Sequence, residues 1–465
     1  MDWREDLPRA AVTPHLRQLR HQALEFYGFI HFTVNTFTDR EWGDGTESPA
    51  VFNPSELDAR QWARALKSAG MRGMILTCKH HDGFCLWPSR WTEHSVKNSP
   101  WKNGQGDVVR EAAEACRTEG LRFGVYCSPW DRHDPRYGQG KAYDDYFVAQ
   151  LEELLGNYGE IFSVWFDGAC GEGANGKKQH YDWERYYETV RRLQPGACIS
   201  VCGPDVRWCG NEAGDTREAE WSVVPRRTMD TEKIASRSQQ SDDTAFRQRR
   251  IRAQDRDLGS REALRGEDDL IWYPAEVNTS IRPGWFWYEA ENSRVRSAEE
   301  LFRIYVRSVG GNATFLLNVP PDRRGLICGE DLAVLRELGE RVHVLEQAAL
   351  PADAVWSGTP GRPGCEAGTG CWMPPDGVTE AELTAQWREP QPASWVVLQE
   401  DITRGQRVER FEVELCGPDG WKKAGEGLTV GWKRILPAAE GACTGIRVRI
   451  RDSRVAPTLK LVGIC

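Results

Sequence analysis

Two acidic residues of this chain sit where carboxylates could break a bond. Asp167 ends the run Val164-Trp165-Phe166-Asp167-Gly168, in which three apolar residues lead straight into an acid and a glycine. A buried parallel strand reads as such a continuous apolar run, and barrel enzymes gather catalytic side chains at the carboxyl ends of these strands. Glu212 follows in Trp208-Cys209-Gly210-Asn211-Glu212, a loop-like stretch about one βα unit further on. Acetal cleavage with retention needs a carboxylate nucleophile and a carboxylic acid about 5–5.5 Å apart, against about 6.5–9.5 Å for inversion. Neighbouring barrel strands can bring two such positions to one face. An aspartate at a strand end is more often a helix cap or turn former. The expectation therefore rests on the pair.

Other residues suit recognition of a hydroxyl-rich ring. Lys79-His80-His81-Asp82-Gly83-Phe84 follows an apolar run, and His31 ends another in His31-Phe32-Thr33-Val34-Asn35-Thr36-Phe37. The His80-His81 pair could bind a metal, but adjacent strand side chains point to opposite faces, and no HxH or HxxxH spacing is present. Neutral imidazoles that donate to and accept from hydroxyls fit better. Glu41-Trp42-Gly43 lies in the first βα loop, Tyr126-Cys127-Ser128-Pro129-Trp130-Asp131 ends the third strand, and Ile281-Arg282-Pro283-Gly284-Trp285 comes late in the barrel. Tryptophan offers a flat apolar face and one donor, and arginine or glutamate supplies charged hydrogen bonds at a sugar's rim. Cys198, Cys202 and Cys209 lack a fourth ligand at zinc spacing, so no metal and no cofactor is expected.

The elements that must position these groups are an alternation of strands and helices. Strands are expected at 28–32, 73–77, 122–126, 161–166 and 197–201, and helices at 58–69, 108–119, 143–158 and 183–193. Gly70 and Gly120 follow their helices as stop signals. Such alternation indicates βα units around a parallel sheet. Later strands are expected at 220–224, 270–274 and 314–319, with a helix around 330–343. The polar stretch 226–269, containing Gln248-Arg249-Arg250-Ile251-Arg252, reads as a solvated loop or surface helix. Beyond Pro351 and Thr359-Pro360-Gly361-Arg362-Pro363-Gly364, short alternating runs separated by glycine and proline indicate an antiparallel β-sandwich. The fold expected is α/β, a (β/α)8-like TIM barrel over 1–345 followed by a small C-terminal β-sandwich over 346–465.

Composition narrows the partners. A chain of 465 residues allows two domains. A formal charge of −9 argues against a nucleic-acid partner. No apolar run approaches the roughly 20 residues needed to cross a bilayer, and the start has no basic head followed by an apolar run. The 14 cysteines are expected to be free thiols, and the expected location is cytoplasmic.

Taken in order, His31 to Phe37, Glu41-Trp42-Gly43, Lys79 to Phe84, Trp165-Phe166-Asp167-Gly168 and Arg282-Pro283-Gly284-Trp285 resemble the α-L-fucosidases of glycoside hydrolase family twenty-nine. The Asn211-Glu212 segment and Ser128-Pro129-Trp130-Asp131 look like the subgroup acting on α-1,3 and α-1,4 fucosyl linkages in branched, Lewis-type glycans. The resemblance implies a (β/α) barrel, a retaining mechanism and no metal. It implies Asp167 as nucleophile and Glu212 as acid/base, with Glu218, Glu220 and Glu276 as competitors for the second role. It assigns His31, His80, His81, Trp42, Trp165 and Arg282 to sugar contacts, with Glu41 and Trp285; Tyr126, at the third strand's end, is a further candidate. The substrate implied is a fucosylated oligosaccharide. The methyl edge of a 6-deoxy sugar needs an apolar wall, for which Phe32, Trp165 or Trp285 are candidates. Two alternatives remain open: a metal-dependent hydrolase using His80-His81, and a sugar-binding protein without turnover.

Overall fold

The structure is a computed structural model that describes residues 2–239, 241–438 and 441–465. Eight parallel strands form its centre: β1 (Phe26–Ile30), β2 (Gly73–Lys79), β3 (Arg122–Cys127), β4 (Ser163–Phe166), β5 (Cys198–Val201), β6 (Arg207–Trp208), β9 (Ala275–Ser280) and β10 (Thr314–Asn318). They follow one another in the order β5-β4-β3-β2-β1-β10-β9-β6. A parallel bridge between Ser200 and Val206 joins the two ends, so the sheet is a nearly closed barrel. Two further strands, β7 (Val223–Pro225) and β8 (Leu270–Trp272), pair antiparallel outside it.

Side-chain parity explains the layers. Phe26 and Ile30 of β1, Val164 and Phe166 of β4, and Phe315 and Leu317 of β10 face outward into the core shared with the helices. Tyr27, Phe29, Tyr126, Trp165, Val201 and Leu316 fill the interior. Successive strand residues point to opposite faces. Parity therefore sends His31, Asp167 and Asn318, each two residues beyond an inward one (Phe29, Trp165 and Leu316), to the inner top of the barrel.

Three of the outer helices begin on aspartate caps. Asp58 accepts from the Arg60 and Gln61 amides ahead of Ala59–Ser68, Asp107 caps Val108–Glu119, and Asp182 caps Trp183–Leu193. Gly120 ends its helix at φ +77°, in the left-handed region. A helix at Ala298–Ser308, capped by Ser297, was not expected from the sequence.

The later barrel strands differ from expectation. The runs expected at 220–224 and 270–274 form the β7–β8 ladder, and β6 and β9 take the barrel positions. In β9 the outward residues Ala275 and Val277 are apolar, whereas Glu276 is buried in the barrel interior and makes its hydrogen bonds there. A barrel strand with a polar inner face does not read as a continuous apolar run, which is why the sequence pattern missed it.

After the last barrel helix, Gly329–Glu346, come β11 (Val355–Gly358), β12 (Ala381–Pro392), β13 (Trp395–Gln399), β14 (Val408–Gly417), β15 (Gly420–Gly427), β16 (Arg434–Pro437), β17 (Ala442–Ser453) and β18 (Leu461–Ile464). They form antiparallel sheets of five strands, β11-β12-β17-β14-β15, and three, β16-β13-β18. Leu383, Val413 and Val448 from the first share one core with Val396, Leu398 and Leu436 from the second. Glu25, at the foot of the barrel, accepts from Trp432 Nε1 at 2.8 Å and Lys433 Nζ at 2.6 Å, tying the two parts together.

Candidate active site

A pocket opens at the carboxyl ends of the barrel strands, the place where barrel enzymes gather their catalytic side chains. Its walls include His31, Trp42, His80, His81, Trp165, Asp167, Glu212 and Trp285.

Asp167 directly follows β4. Its Oδ1 accepts from the Ala169 amide at 2.8 Å and its Oδ2 from the Tyr126 hydroxyl at 3.0 Å. Burial pushes its carboxyl above the ordinary value, and the Ala169 and Gly168 amides and the Tyr126 hydroxyl oppose that shift. Donors of this kind favour the charged form. Gly168 lets Ser238 approach closely: a Cβ there would lie 2.1 Å from Ser238 Oγ and would force that hydroxyl to move.

Glu212 comes from the loop after β6, which Asn211 holds by accepting from the Ala213 and Asp215 amides, each at 3.0 Å. Trp285 Nε1 donates to Glu212 Oε2 at 3.1 Å. Burial, with the Asp167 and Glu41 charges, pushes the Glu212 carboxyl up to about 8 against the Trp285 hydrogen bond and the Arg247 charge. One pocket thus holds an acid protonated near neutrality and a carboxylate supported by donors.

The other acids are placed differently. Glu220 is buried between Arg207 (2.8 Å) and Arg217 (3.0 Å), which hold it below the ordinary range despite burial. Glu218 is exposed. Glu276 accepts from Tyr27 at 2.5 Å and from Trp165 Nε1 at 2.8 Å, so both oxygens are engaged beneath the pocket.

The three histidines are neutral, because burial lowers His31 and His81 to about 3 and His80 well below its ordinary value. Their tautomers follow from their partners. Asn318 Nδ2 donates to the Trp285 carbonyl at 2.8 Å, so its Oδ1 faces His31 Nδ1 at 2.8 Å and must accept there. His31 therefore presents an accepting Nε2. Ser128 Oγ donates to the Trp130 carbonyl and lies 2.8 Å from His81 Nδ1, which must donate. The accepting Nε2 of His81 stands 3.9 Å from Asp167 Oδ2. Asn35 Nδ2 donates to the Glu41 carbonyl at 3.4 Å and to His80 Nδ1 at 3.5 Å, leaving His80 Nε2 as a donor. One donor and two acceptors suit a ring carrying several hydroxyls.

His80 and His81 do not diverge as strand neighbours would. Strand β2 ends at Lys79, the Gly83 amide donates back to the His80 carbonyl, and both rings reach the pocket with centroids 4.1 Å apart. Among the described residues, no group of three or more His, Cys, Asp and Glu side chains is arranged to hold a metal ion.

The remaining candidates lie behind the wall. Glu41 accepts from the Trp285 amide at 2.6 Å and the Tyr288 hydroxyl at 2.8 Å. Tyr126 stands under Asp167. Arg282 is fully buried, paired with Asp331 at 2.9 Å and Asn292 at 2.9 Å. Phe32 packs in the outer layer against Phe37, Phe52 and Trp62; Phe29 is the phenylalanine that lines the pocket.

The sequence did not single out Phe29, Ala169, Val201, Ser238 or Gln239, which line the pocket together with Trp208 and Asn278. For Phe29 the usable signal was parity, whereas Val201 shares the parity of the outward Ile199 and still lies in the interior cluster. Val201 also carries φ +67°, strained for a β-branched residue and of the kind that collects at functional sites. Ser238 and Gln239 come from the polar stretch expected to be solvated.

The chain is similar to known proteins along most of its length. The family model described as "Alpha-L-fucosidase" matches residues 15–346. The chain is similar to Alpha-L-fucosidase 1 of Arabidopsis thaliana, with 39% identity over 97% of this chain and 87% of that protein. A glycoside hydrolase 29 family member from an unknown rumen bacterium is 39% identical, with a TM-score of 0.79 over 98% of this chain and 77% of that one. A Ruminococcus gnavus GH29 fucosidase in complex with fucose is 30% identical, with a TM-score of 0.83 over 98% of this chain and 95% of that one. A family model over most of the chain, relatives alike along nearly its whole length and solved structures of the same fold lead to one assignment: this chain belongs to the α-L-fucosidase family, glycoside hydrolase family 29, and is a glycoside hydrolase.

Proposed function

We propose that the chain is an exo-acting, retaining α-L-fucosidase that removes α-1,3- and α-1,4-linked fucose from branched, Lewis-type glycans. Asp167 attacks the anomeric carbon and the leaving oxygen departs, giving a covalent glycosyl-enzyme. Glu212 gives its proton to that oxygen, then takes one from the water that displaces Asp167. The observation that carries this reading is the pairing in one pocket of Asp167, which accepts from Tyr126 and Ala169, with Glu212, whose carboxyl is pushed up to about 8. Environments that separate two carboxyls in this way assign acid and nucleophile. Fucose in the complex of the R. gnavus relative supports fucose as the sugar bound. Trp208 and Trp285 near Glu212 offer faces for a leaving sugar. The fourteen unpaired thiols support a reducing, cytoplasmic location.

The first anomer released, followed by NMR, tests the stereochemistry: α-L-fucose is expected, and the β anomer would refute retention. Asp167→Ala should lose at least about 10⁴-fold in kcat, as removal of a reacting group does in other hydrolases. Glu212→Ala should spare aryl fucosides with good leaving groups far more than natural linkages. A panel of Lewis-type and α-1,2-fucosylated oligosaccharides tests the linkage; preference for the second would overturn it.

A further inference from the structure

We propose that Arg247 is a positioning residue for the acid/base, acting through Glu41 and Trp285 from a strap that crosses the polar stretch of the chain. The proposal rests on Glu212 as the acid/base.

Arg247 lies in the short turn Phe246–Gln248. Although it belongs to an arginine-rich, polar sequence, its side chain is only 14% exposed. Nη1 donates to the Pro283 carbonyl at 3.0 Å, in the loop that carries Trp285. Nη2 donates to Asp242 Oδ1 at 3.2 Å and stands 3.5 Å from Glu41 Oε1. That same Glu41 oxygen accepts from the Trp285 amide at 2.6 Å, and the Trp285 indole donates to Glu212 at 3.1 Å. A line of contacts therefore runs from Arg247 through Glu41 and Trp285 to Glu212. The strap has a second anchor, because the Phe246 ring stacks parallel to Trp208, with centroids 6.4 Å apart and planes at 10°. Trp208 and the strap's Ser238 and Gln239 line the pocket.

The cation is needed because Glu41 is buried. An isolated carboxylate there would be expensive and would take up a proton. Burial does push Glu41 up, and Arg247 is the largest influence against it. A protonated Glu41 would lose acceptor capacity toward the Trp285 amide and the Tyr288 hydroxyl, and the indole holding Glu212 would loosen. Arg247 also acts on Glu212 directly. The charges facing Glu212 are the Asp167 and Glu41 carboxylates, which raise it, and Arg247, which lowers it. Those facing Arg247 are Asp242 and Glu41.

Arg247→Met and Arg247→Lys in the full chain test the proposal, using pH profiles of kcat/KM on aryl fucosides with poor and good leaving groups. For Arg247→Met the poor leaving group should slow by about tenfold or more, the good one by less than about threefold, and the basic limb should move to higher pH. Lysine should recover most of the loss. Asp242→Asn leaves Arg247 less neutralised and should move the limb the opposite way, a readout that survives if the methionine variant fails to fold. Equal loss on both substrates with the limb unmoved, or lysine no better than methionine, would overturn the proposal. Glu212→Gln separates the two readings. A basic limb that persists in Glu212→Gln removes Glu212 as the acid, and the proposal with it. A limb abolished by Glu212→Gln but unmoved by Arg247→Met and Asp242→Asn removes Arg247 alone.

Discussion

The Tyr126 hydroxyl donates to Asp167 Oδ2 at 3.0 Å across the tops of β3 and β4. Hydrogen bonds to charged groups contribute about 1.5–3 kcal/mol. Tyr126→Phe should therefore lower kcat/KM by about 10- to 100-fold. The acidic limb of the pH profile should move to higher pH, since burial would then act on Asp167 with one donor fewer. An unchanged limb would show that Tyr126 does not support the charge.

Glu276 provides a test on stability. Burial pushes its carboxyl up to about 7 from 4.5, against its hydrogen bonds from Tyr27 and Trp165. Between those values the folded chain binds more protons than the unfolded one. Its contribution is present below the unfolded value and is lost as pH rises through the folded one. Burial moves Asp82 in the same direction, to about 7. Between pH 5 and pH 8 the Tm of Glu276→Gln should fall less, or rise more, than that of the wild-type chain, in which the buried neutral histidines contribute the opposite slope just as they do in the variant. An identical slope in the variant would count against a raised Glu276.

Lys79 and Asp131 form a buried ion pair at 3.1 Å between the ends of β2 and β3. Burial works against both charges, yet each keeps its charged form through the other: Lys79 is raised and Asp131 lowered. Removing one partner strands the second, at a cost of about 3–5 kcal/mol. Lys79→Met should destabilise by that order in urea unfolding, and Lys79→Met combined with Asp131→Asn should recover part of it. A double variant no better than the single one would argue against a stranded charge.

Asn318→Asp should change the sugar-facing side of His31. A carboxylate against Nδ1 raises the imidazole from about 3, and protonation turns the accepting Nε2 into a donor. KM should rise by about tenfold, the worth of one hydrogen bond, with a smaller effect on kcat. NMR titration of the His31 ring gives an independent check; an imidazole still neutral at pH 6 would contradict the assignment.

The first five barrel strands and their helices were legible because their physics is local. Val164-Trp165-Phe166 is buried on both faces and has to be apolar throughout, and Asp107 and Gly120 bracket the helix between them by cap chemistry. The second half was harder. In β9 the barrel interior is occupied by Glu276 and its partners, and β6 is only two residues long. Ser238, Gln239 and Arg247 reach the site from a stretch whose composition matches that of a solvated surface.

By itself, the sequence determined the barrel rhythm, the family motifs and the place of Asp167 at the end of a buried strand, since each is written in neighbouring residues. The tertiary structure decided which glutamate reaches the pocket. Glu212, Glu220 and Glu276 are chemically alike in sequence, and only their partners differ: an indole, two guanidiniums, and a phenol with an indole. Glu220 finds Arg217 three residues away, but Glu212 and Glu276 take donors from 73 and 249 residues away, and folding is what brings those groups to them.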